Sequence, residues 1–348
     1  MSTTTNGHRT CRLCLHFDAY VDVYGIMRIM PRQDELRLLA KVARMYYMQN
    51  LRQQEITDRL QIHQSTVSRL LKRARDMNII RFSVATPPGI YSDLEDQLIA
   101  AYSLKDAVVI DGSTEEDPLV RDLGAAAAYY LETTLKPGIN IGISSWSRSL
   151  FAMVDALHLG SYAKGGRVVQ ILGGVGNADV QQEAAIYLAQ RLAGAVGASA
   201  ILLQSPAVVA TAEAHRVLSR EPTIRAAVES FKRLDVALVG IGSMEPSRLL
   251  TNSGNVFSAE ERAKLGRLGA VGDICFRYFD ARGVPIKSSL MQRVIGIEAT
   301  TLRAVDRVIG IAGGKKKLSA ILAALRGDWL DVLITDRRTA EGLISDVT

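Results

Sequence analysis

Cysteine is scarce, three residues in 348, so no disulfide framework holds this chain together. Although 48% of the residues are hydrophobic, no apolar run approaches the roughly 18–20 residues of a membrane span. The N-terminus lacks a cationic segment followed by an apolar stretch and a small-residue cleavage site. A cytoplasmic protein without a membrane partner is expected. No internal repeat or low-complexity tract interrupts the chain. No GxxxxGK[ST] loop is present, and GGVGNAD after Leu172 lacks the third glycine of a dinucleotide fingerprint. The carboxylates Asp155, Glu183 and Asp273 have no evident His or Cys partner, and His158 and His215 fall in helical stretches. Cys11 and Cys14 with His8 and His16 could ligate zinc, but one CxxC without a second pair is not a zinc pattern. No catalytic residue, metal or cofactor is therefore expected.

What the chain does have is unevenly placed charge. Residues 31–90 hold 11 Lys/Arg against 5 Asp/Glu, whereas residues 91–348 hold 28 against 29. A basic module joined to a near-neutral larger domain suggests a polyanion for the first and another task for the second. Residues 1–30 are polar at first and aperiodic throughout, which reads as a disordered extension or a start set upstream of Met27 or Met30.

Within the basic module, DELRLLAKVARMYYMQN places Leu36, Leu39, Ala40, Ala43 and Tyr47 on one helical stripe, with Asp34 as its N-cap. QQEITDRL, opening at Gln53, forms a second short helix with Ile56 and Leu60 inward. QIHQ then turns the chain. In QSTVSRLLKRAR the apolar residues Val67, Leu70, Leu71 and Ala74 form a buried stripe, opposite Gln64, Ser65, Thr66, Ser68, Arg69, Lys72 and Arg73. Two short helices, a tight turn and a polar N-terminal face match a helix-turn-helix, whose second helix enters the DNA major groove. The hydroxyls and Gln64 suit base edges, the cations suit phosphates, and Gln53 on the preceding helix is a further expected DNA contact. IIRFSVAT follows as a strand, giving a winged-type module over residues 31–88, with residues 89–106 as a linker helix opened by a Ser92/Glu95 capping box.

From residue 107 to 348, AVVIDG, INIGIS, RVVQILGG, ASAILLQ, VALVGIGS, RVIGIAGG and DVLITD alternate with helices such as Pro118–Leu135, capped by Asp117. Such apolar strands argue for a mainly parallel, doubly covered α/β sheet, which binds ligands at the carboxyl ends of its strands. Ser144, Ser145, Trp146, Ser147, Arg148 and Ser149 follow one strand and open a helix, a natural cradle for an anion. Gly173 and Gly174 end another, with Gln170 as a possible polar contact, and Gly142 and Gly242 lie in two more. Lys315, Lys316 and Lys317 open a helix where the macrodipole favours an anion instead.

The stretch from Leu39 to Val84 resembles the N-terminal domain of SorC-type (DeoR/SorC) sugar-binding transcriptional regulators, and the resemblance continues through IGISSWSRSL, VVQILGG, GAVGDICFRYFDARG, IAGGKKKLSAILAALRG and VLITD. It covers residues 33–346, with Gln61 and His63 where the family often has Gly and Ser. It implies a Rossmann-like domain similar to phosphosugar isomerase and CoA-transferase-like folds, and a sugar or sugar-phosphate effector that controls affinity for double-stranded operator DNA. It also implies a homotetramer, a dimer of dimers, with coupling through Pro87–Leu104. On the same grounds Asp273 accepts sugar hydroxyls, and Lys315 is the ligand contact while Lys316 and Lys317 are solvated. Glu245 and Asn252 fall in a lid-like loop. Leu172 stands where some relatives carry a Schiff-base lysine, which implies non-covalent binding. Two alternatives remain: a sugar-phosphate isomerase or deaminase, and a constitutive DNA binder.

Overall fold

The computed structural model describes residues 19–21, 27–29, 33–80, 87, 89–176 and 180–346. Residues 1–85 and 86–348 form two compact units. The zinc candidates, and the strand expected in IIRFSVAT from residue 81 on, lie outside the described residues.

The first unit contains the antiparallel pair β1 (Ala19–Val21) and β2 (Met27–Ile29), then α1 (Gln33–Tyr47), α2 (Gln53–Leu60) and α3 (Gln64–Asp76). Helix α1 begins one residue before Asp34, so this carboxylate sits in the first turn, facing the positive end of the macrodipole, and is not the cap. The buried stripe of α1 is Leu39, Val42, Ala43 and Met45, rotated from the expected one, with Leu36, Ala40 and Tyr47 half-buried. Val42 and Met45 meet Ile56, Val67 and Leu71, while Leu39 and Ala43 meet Ala74. Three amphipathic helices thereby close a small core that none could bury alone.

Gln61 ends α2 in the left-handed region at φ 52°, its side-chain amide donating to the Asp58 carbonyl at 2.7 Å. A side chain in that conformation costs about 1 kcal/mol, and the exposed amide bond returns little. Gln61→Gly is expected to stabilise this unit by about 0.5–1 kcal/mol. Denaturant titration of wild type and variant checks this; equal or lower stability would mean that the Asp58 bond outweighs the backbone strain.

In chain order, the strands of the second unit are β3 (Asp106–Ile110), β4 (Asn140–Ile143), β5 (Arg167–Gln170), β6 (Ser199–Ile201), β7 (Val236–Val239), β8 (Gly242–Ser243), β9 (Ala270–Ile274), β10 (Arg277–Asp280), β11 (Arg307–Ile311) and β12 (Val332–Asp336). Its helices are α4 (Ser92–Tyr102), α5 (Glu116–Thr134), α6 (Arg148–Ala156), α7 (Val180–Val196), α8 (Ala212–Leu218), α9 (Pro222–Ser230), α10 (Arg248–Asn252), α11 (Ala259–Arg267), α12 (Ala299–Leu302), α13 (Leu318–Arg326) and α14 (Arg337–Ser345). A seven-stranded, fully parallel sheet runs β3-β12-β11-β7-β4-β5-β6. A second, antiparallel sheet has the order β10-β9-β8.

Neighbouring strand residues point to opposite faces, as the period of two requires. Val168, Ile141, Ile143 and Leu238 pack with Leu123, Leu150, Met153 and Leu192 of α5, α6 and α7. Val169, Ala237, Val239 and Leu333 pack on the other face with Leu98, Ile224, Ile321 and Leu343 of α4, α9, α13 and α14. Gly124 on α5 lets α6 approach closely: a Cβ there would lie 2.5 Å from that of Ala152. Helix α4, expected as a separate linker, packs into this unit through the fully buried Leu98. Its expected capping box does not form, because Tyr91 caps the helix and Glu95 accepts from the Val109 N–H of β3 at 2.9 Å. Likewise α5 is capped at Glu115, which places Asp117 and Pro118 inside its first turn.

The strand order fixes where a ligand can enter. From β4 the chain winds through β5 to β6 on one side, then returns to β7, β11 and β12 on the other. The crevice between the carboxyl ends of β4 and β7 is therefore the topological switch point.

Candidate functional site

In the first unit, the turn of residues 61–63 delivers α3 with Gln64, Ser65, Ser68, Arg69 and Lys72 exposed, and with Thr66 half-buried. Arg69 donates to Thr66 Oγ1 at 3.3 Å, one turn apart on the same face. Gln53 opens α2 half-buried, where Glu55 accepts from the Arg52 N–H at 2.6 Å. Arg73, assigned to the same face from sequence, instead forms an ion pair with Glu35 of α1. The remaining surface is polar and cationic at one end of the helix, as contacts to a phosphate backbone require.

In the second unit a cleft of about 1520 Å³ opens at the switch point. It is lined by Ser144, Trp146, Ser147, Arg148 and Ser149 after β4, by Gly242 in β8, by Asp273 in β9 and by Lys315 after β11. Ser147 caps α6, its hydroxyl accepting from the Leu150 N–H at 3.4 Å. The other first-turn N–H groups have no intrahelical partner, as at any helix start, and form the positive end of the helix dipole.

The other residues expected at the site do not line this cleft. Gln170 is buried, donating to Ser145 Oγ at 2.8 Å and accepting from the Leu203 N–H at 3.2 Å. Ser145 in turn donates to the Leu172 carbonyl at 2.7 Å. A Cβ on Gly174 would strike the Gln170 amide, one on Gly173 the Pro206 carbonyl, and one on Gly142 the side chains of Ile171 and Leu234. This set is the polar interior of the sheet end, a frame that holds the loop after β4 in place. Trp146 shares both roles: it lines the cleft and donates from Nε1 to the Gly173 carbonyl at 2.9 Å.

The lysine run also resolves differently from expectation. It forms a 3-10 turn, Lys315–Lys317, ahead of α13. Lys315 and Lys316 are exposed, and Lys316 pairs with Glu116 at 3.5 Å. Lys317 is the one drawn inward: burial pushes its ammonium below the usual value, Asp273 and Glu116 oppose that shift, and Arg148 adds to it. The turn is fixed from below. Gly314, at φ 90°, donates its N–H to Asp336 Oδ2 and to Thr339 Oγ1, each at 2.8 Å, and Asp336 also caps α14.

Asp273 lines the same cleft as Lys317, and each feels the other's charge. Withdrawal from water pushes its carboxyl up from 3.8 to about 6, against the Phe276 N–H, which donates to Oδ2 at 2.9 Å, and the charge of Lys317. Gly242, paired with Asp273 across β8 and β9, leaves it room: a Cβ there would lie 2.2 Å from Oδ1. The hairpin carrying Asp273 turns through Cys275 and Phe276, at φ 52° and 58°, with neither Asn nor Gly. Left-handed backbone at two bulky residues is held only where surroundings over-determine it. Here both side chains are buried, and Arg277 donates to the carbonyls of Met291, Val294, Gly296 and Ile297 and to Glu298. Burial pushes the Cys275 thiol to about 12, so it is no nucleophile.

Sequence reading missed Lys317, this hairpin, and the carboxylates Glu116 and Asp117, which hold Arg148 by ion pairs at the cleft wall. The acidic run at the start of α5 is the visible signal for the last two, and it reads equally well as helix capping. Among the remaining candidates, Asp155 pairs with Arg191, and His158 is exposed beside Glu132. His215 is half-buried on α8, its imidazole held below the usual value by burial. Glu245 lines the cleft, whereas Asn252 lies at the end of α10. No helix among the described residues is long and apolar enough to cross a membrane.

The profile of the family described as "Putative sugar-binding domain" matches residues 86–345. The deoxyribonucleoside regulator of Bacillus subtilis (strain 168) is 33% identical over 316 residues, which span 90% of this chain and 99% of that protein. The sorbitol operon regulator of Klebsiella pneumoniae is 33% identical over 317 residues, 90% of this chain and 100% of that one. The crystal structure of the full-length sorbitol operon regulator SorC from Klebsiella pneumoniae is similar with a TM-score of 0.68 at 31% identity, covering 90% of this chain and 100% of that one. These relatives are transcriptional regulators and not enzymes, which sets aside the isomerase and deaminase reading. Matched along nearly its whole described length, the chain belongs to the SorC family of sugar-binding transcriptional regulators.

Proposed function

We propose that this regulator binds double-stranded operator DNA in the cytoplasm through α3 and that a phosphorylated sugar in the cleft controls that binding. One observation carries the effector assignment: the start of α6, the inward Lys317 and Asp273 converge on a single cleft at the switch point. The helix start and cations suit a phosphate. Asp273 suits hydroxyl donors, and Leu172 leaves no amine before the paired glycines for a covalent adduct.

Control of DNA binding requires two arrangements with different affinities for effector. We place them in an oligomer, a dimer of dimers, because helix-turn-helix modules match paired half-sites. The entry to the second unit suits a relay. Tyr91, the cap of α4, donates to Asp111 at 2.8 Å and lies under Arg337, the residue after Asp336, which holds the Gly314 loop.

Thermal shift against sugar phosphates, free sugars and polyols tests the cleft. Stabilisation by phosphorylated compounds is expected, about 2.7 kcal/mol at 100 times the dissociation constant. Lys317→Ala is expected to remove most of that shift, while Lys315→Ala, at an exposed position, keeps most of it. A shift lost with Lys315 but kept without Lys317 would reverse the assignment.

A further inference from the structure

The acidic first turn of α5 is engaged with the same cations that the anion cradle uses. Glu116 Oε1 accepts from Arg148 Nη1 at 2.7 Å, and Asp117 takes Nη2 of the same guanidinium. Glu116 Oε2 lies 3.5 Å from Lys316 Nζ, and Glu116 is also among the charges acting on Lys317. Glu116 thus bridges the cations offered by α6 and by the lysine turn, while Asp117 engages the Arg148 guanidinium alone. All of these residues line the cleft.

We propose that Glu116 and Asp117 determine effector specificity, as resident anions that an incoming ligand must displace from Arg148 and Lys316. This inference rests on the cleft being an anion site. A guanidinium presents a planar fork, and here two separate carboxylates fill both of its tines. A neutral sugar brings no charge to replace them. A sugar acid brings one charge for two positions. A phosphomonoester dianion matches both the charge and the bidentate geometry. The cleft therefore selects doubly charged groups over singly charged and neutral ones.

The displacement is feasible because the resident pairs are weak. Glu116 and Asp117 side chains are 61% and 78% exposed, so water and salt compete for them throughout. Once released they remain at the start of α5, where the helix dipole still favours a negative charge.

The test titrates inorganic phosphate at pH 7.5 and constant ionic strength into wild type, Glu116→Gln/Asp117→Asn and Arg148→Ala, followed by calorimetry and by the fluorescence of Trp146 in the cleft. The double variant is expected to bind phosphate roughly three- to tenfold more tightly than wild type, the range that exposed pairs of this kind support. Arg148→Ala is expected to bind it more weakly. If the double variant lowers the fold's stability, Glu116→Gln alone serves, with a smaller gain in the same direction. Unchanged or weaker phosphate binding in the carboxylate variants, with Arg148→Ala still impaired, would overturn the specificity role while leaving the cradle intact. Binding that is insensitive to Arg148, or absent from all the proteins, would overturn the anion site and this role with it.

Discussion

Replacing Asp273 by asparagine is expected to make the ligand-free protein more stable at neutral pH and to abolish its response to effector. The carboxyl titrates near 6 in the folded protein against an ordinary 3.8, because burial disfavours its charge. The folded state then holds more protons than the unfolded one between those values. Stability falls as pH rises through that window and stays reduced above it. A shift of this size corresponds to at most about 3 kcal/mol, and water entering the cleft reduces it to about 2 kcal/mol. Asparagine keeps an oxygen for the Phe276 N–H and carries no charge to desolvate. The variant should therefore gain about 2 kcal/mol at pH 7.5, match wild type near pH 3.5, and lack the slope between. Chemical denaturation at several pH values reads this directly. A loss of stability at pH 7.5 would mean that attraction to Lys317 outweighs burial. The residue would then be a structural ion-pair partner and not a polar group held in reserve for ligand.

The second large effect belongs to α3. Arg69→Ala with Lys72→Ala removes two exposed cations from one helical face without touching the Val67, Leu71 and Ala74 core. Each phosphate contact contributes about 0.9 to the slope of log affinity against log salt, so the variant should lose about 2 from that slope. Affinity for duplex DNA should fall by roughly one to two orders of magnitude at low salt, with the thermal response to effector unchanged. Because Arg73 is spent on Glu35, its removal should act first on stability of the small unit. An unchanged salt slope in the double variant would place the DNA on another surface.

The seven strands of the parallel sheet are the seven apolar runs read from sequence, because buried parallel strands need unbroken Val, Ile and Leu and little else competes for that pattern. The three helices of the first unit were legible for a related reason, since each carries one apolar stripe at helical spacing. What failed was finer. The β9–β10 hairpin has no Asn-Gly or Asp-Gly signal, and its turn at Cys275–Phe276 is imposed by tertiary burial. The buried stripe of α1 lies about one position from the expected one, because Val42 and Met45 compete with Ala40 and Tyr47 for the same arc.

The site was half legible for a physical reason. A polar residue at the end of an apolar strand marks either a ligand contact or an internal hydrogen bond, and Ser145 and Gln170 prove to be the latter. Three consecutive lysines are equivalent in sequence. The 3-10 turn fixed by Asp336 and Gly314 is what separates them, drawing Lys317 inward while Lys315 and Lys316 stay exposed along the cleft lining.

Control of DNA binding by the cleft is read most directly from the affinity of the protein for a duplex selected from a randomised library, with and without the sugar phosphate giving the largest thermal shift. Fluorescence anisotropy of the labelled duplex reads it. A change of about 5- to 150-fold, in either direction, is expected, the ordinary range of coupling between linked sites. The same compound should leave the affinity of a Lys317→Ala protein unaltered. A sugar phosphate that stabilises the protein yet leaves its affinity for the duplex unchanged would contradict the claim that the cleft controls the DNA-binding unit.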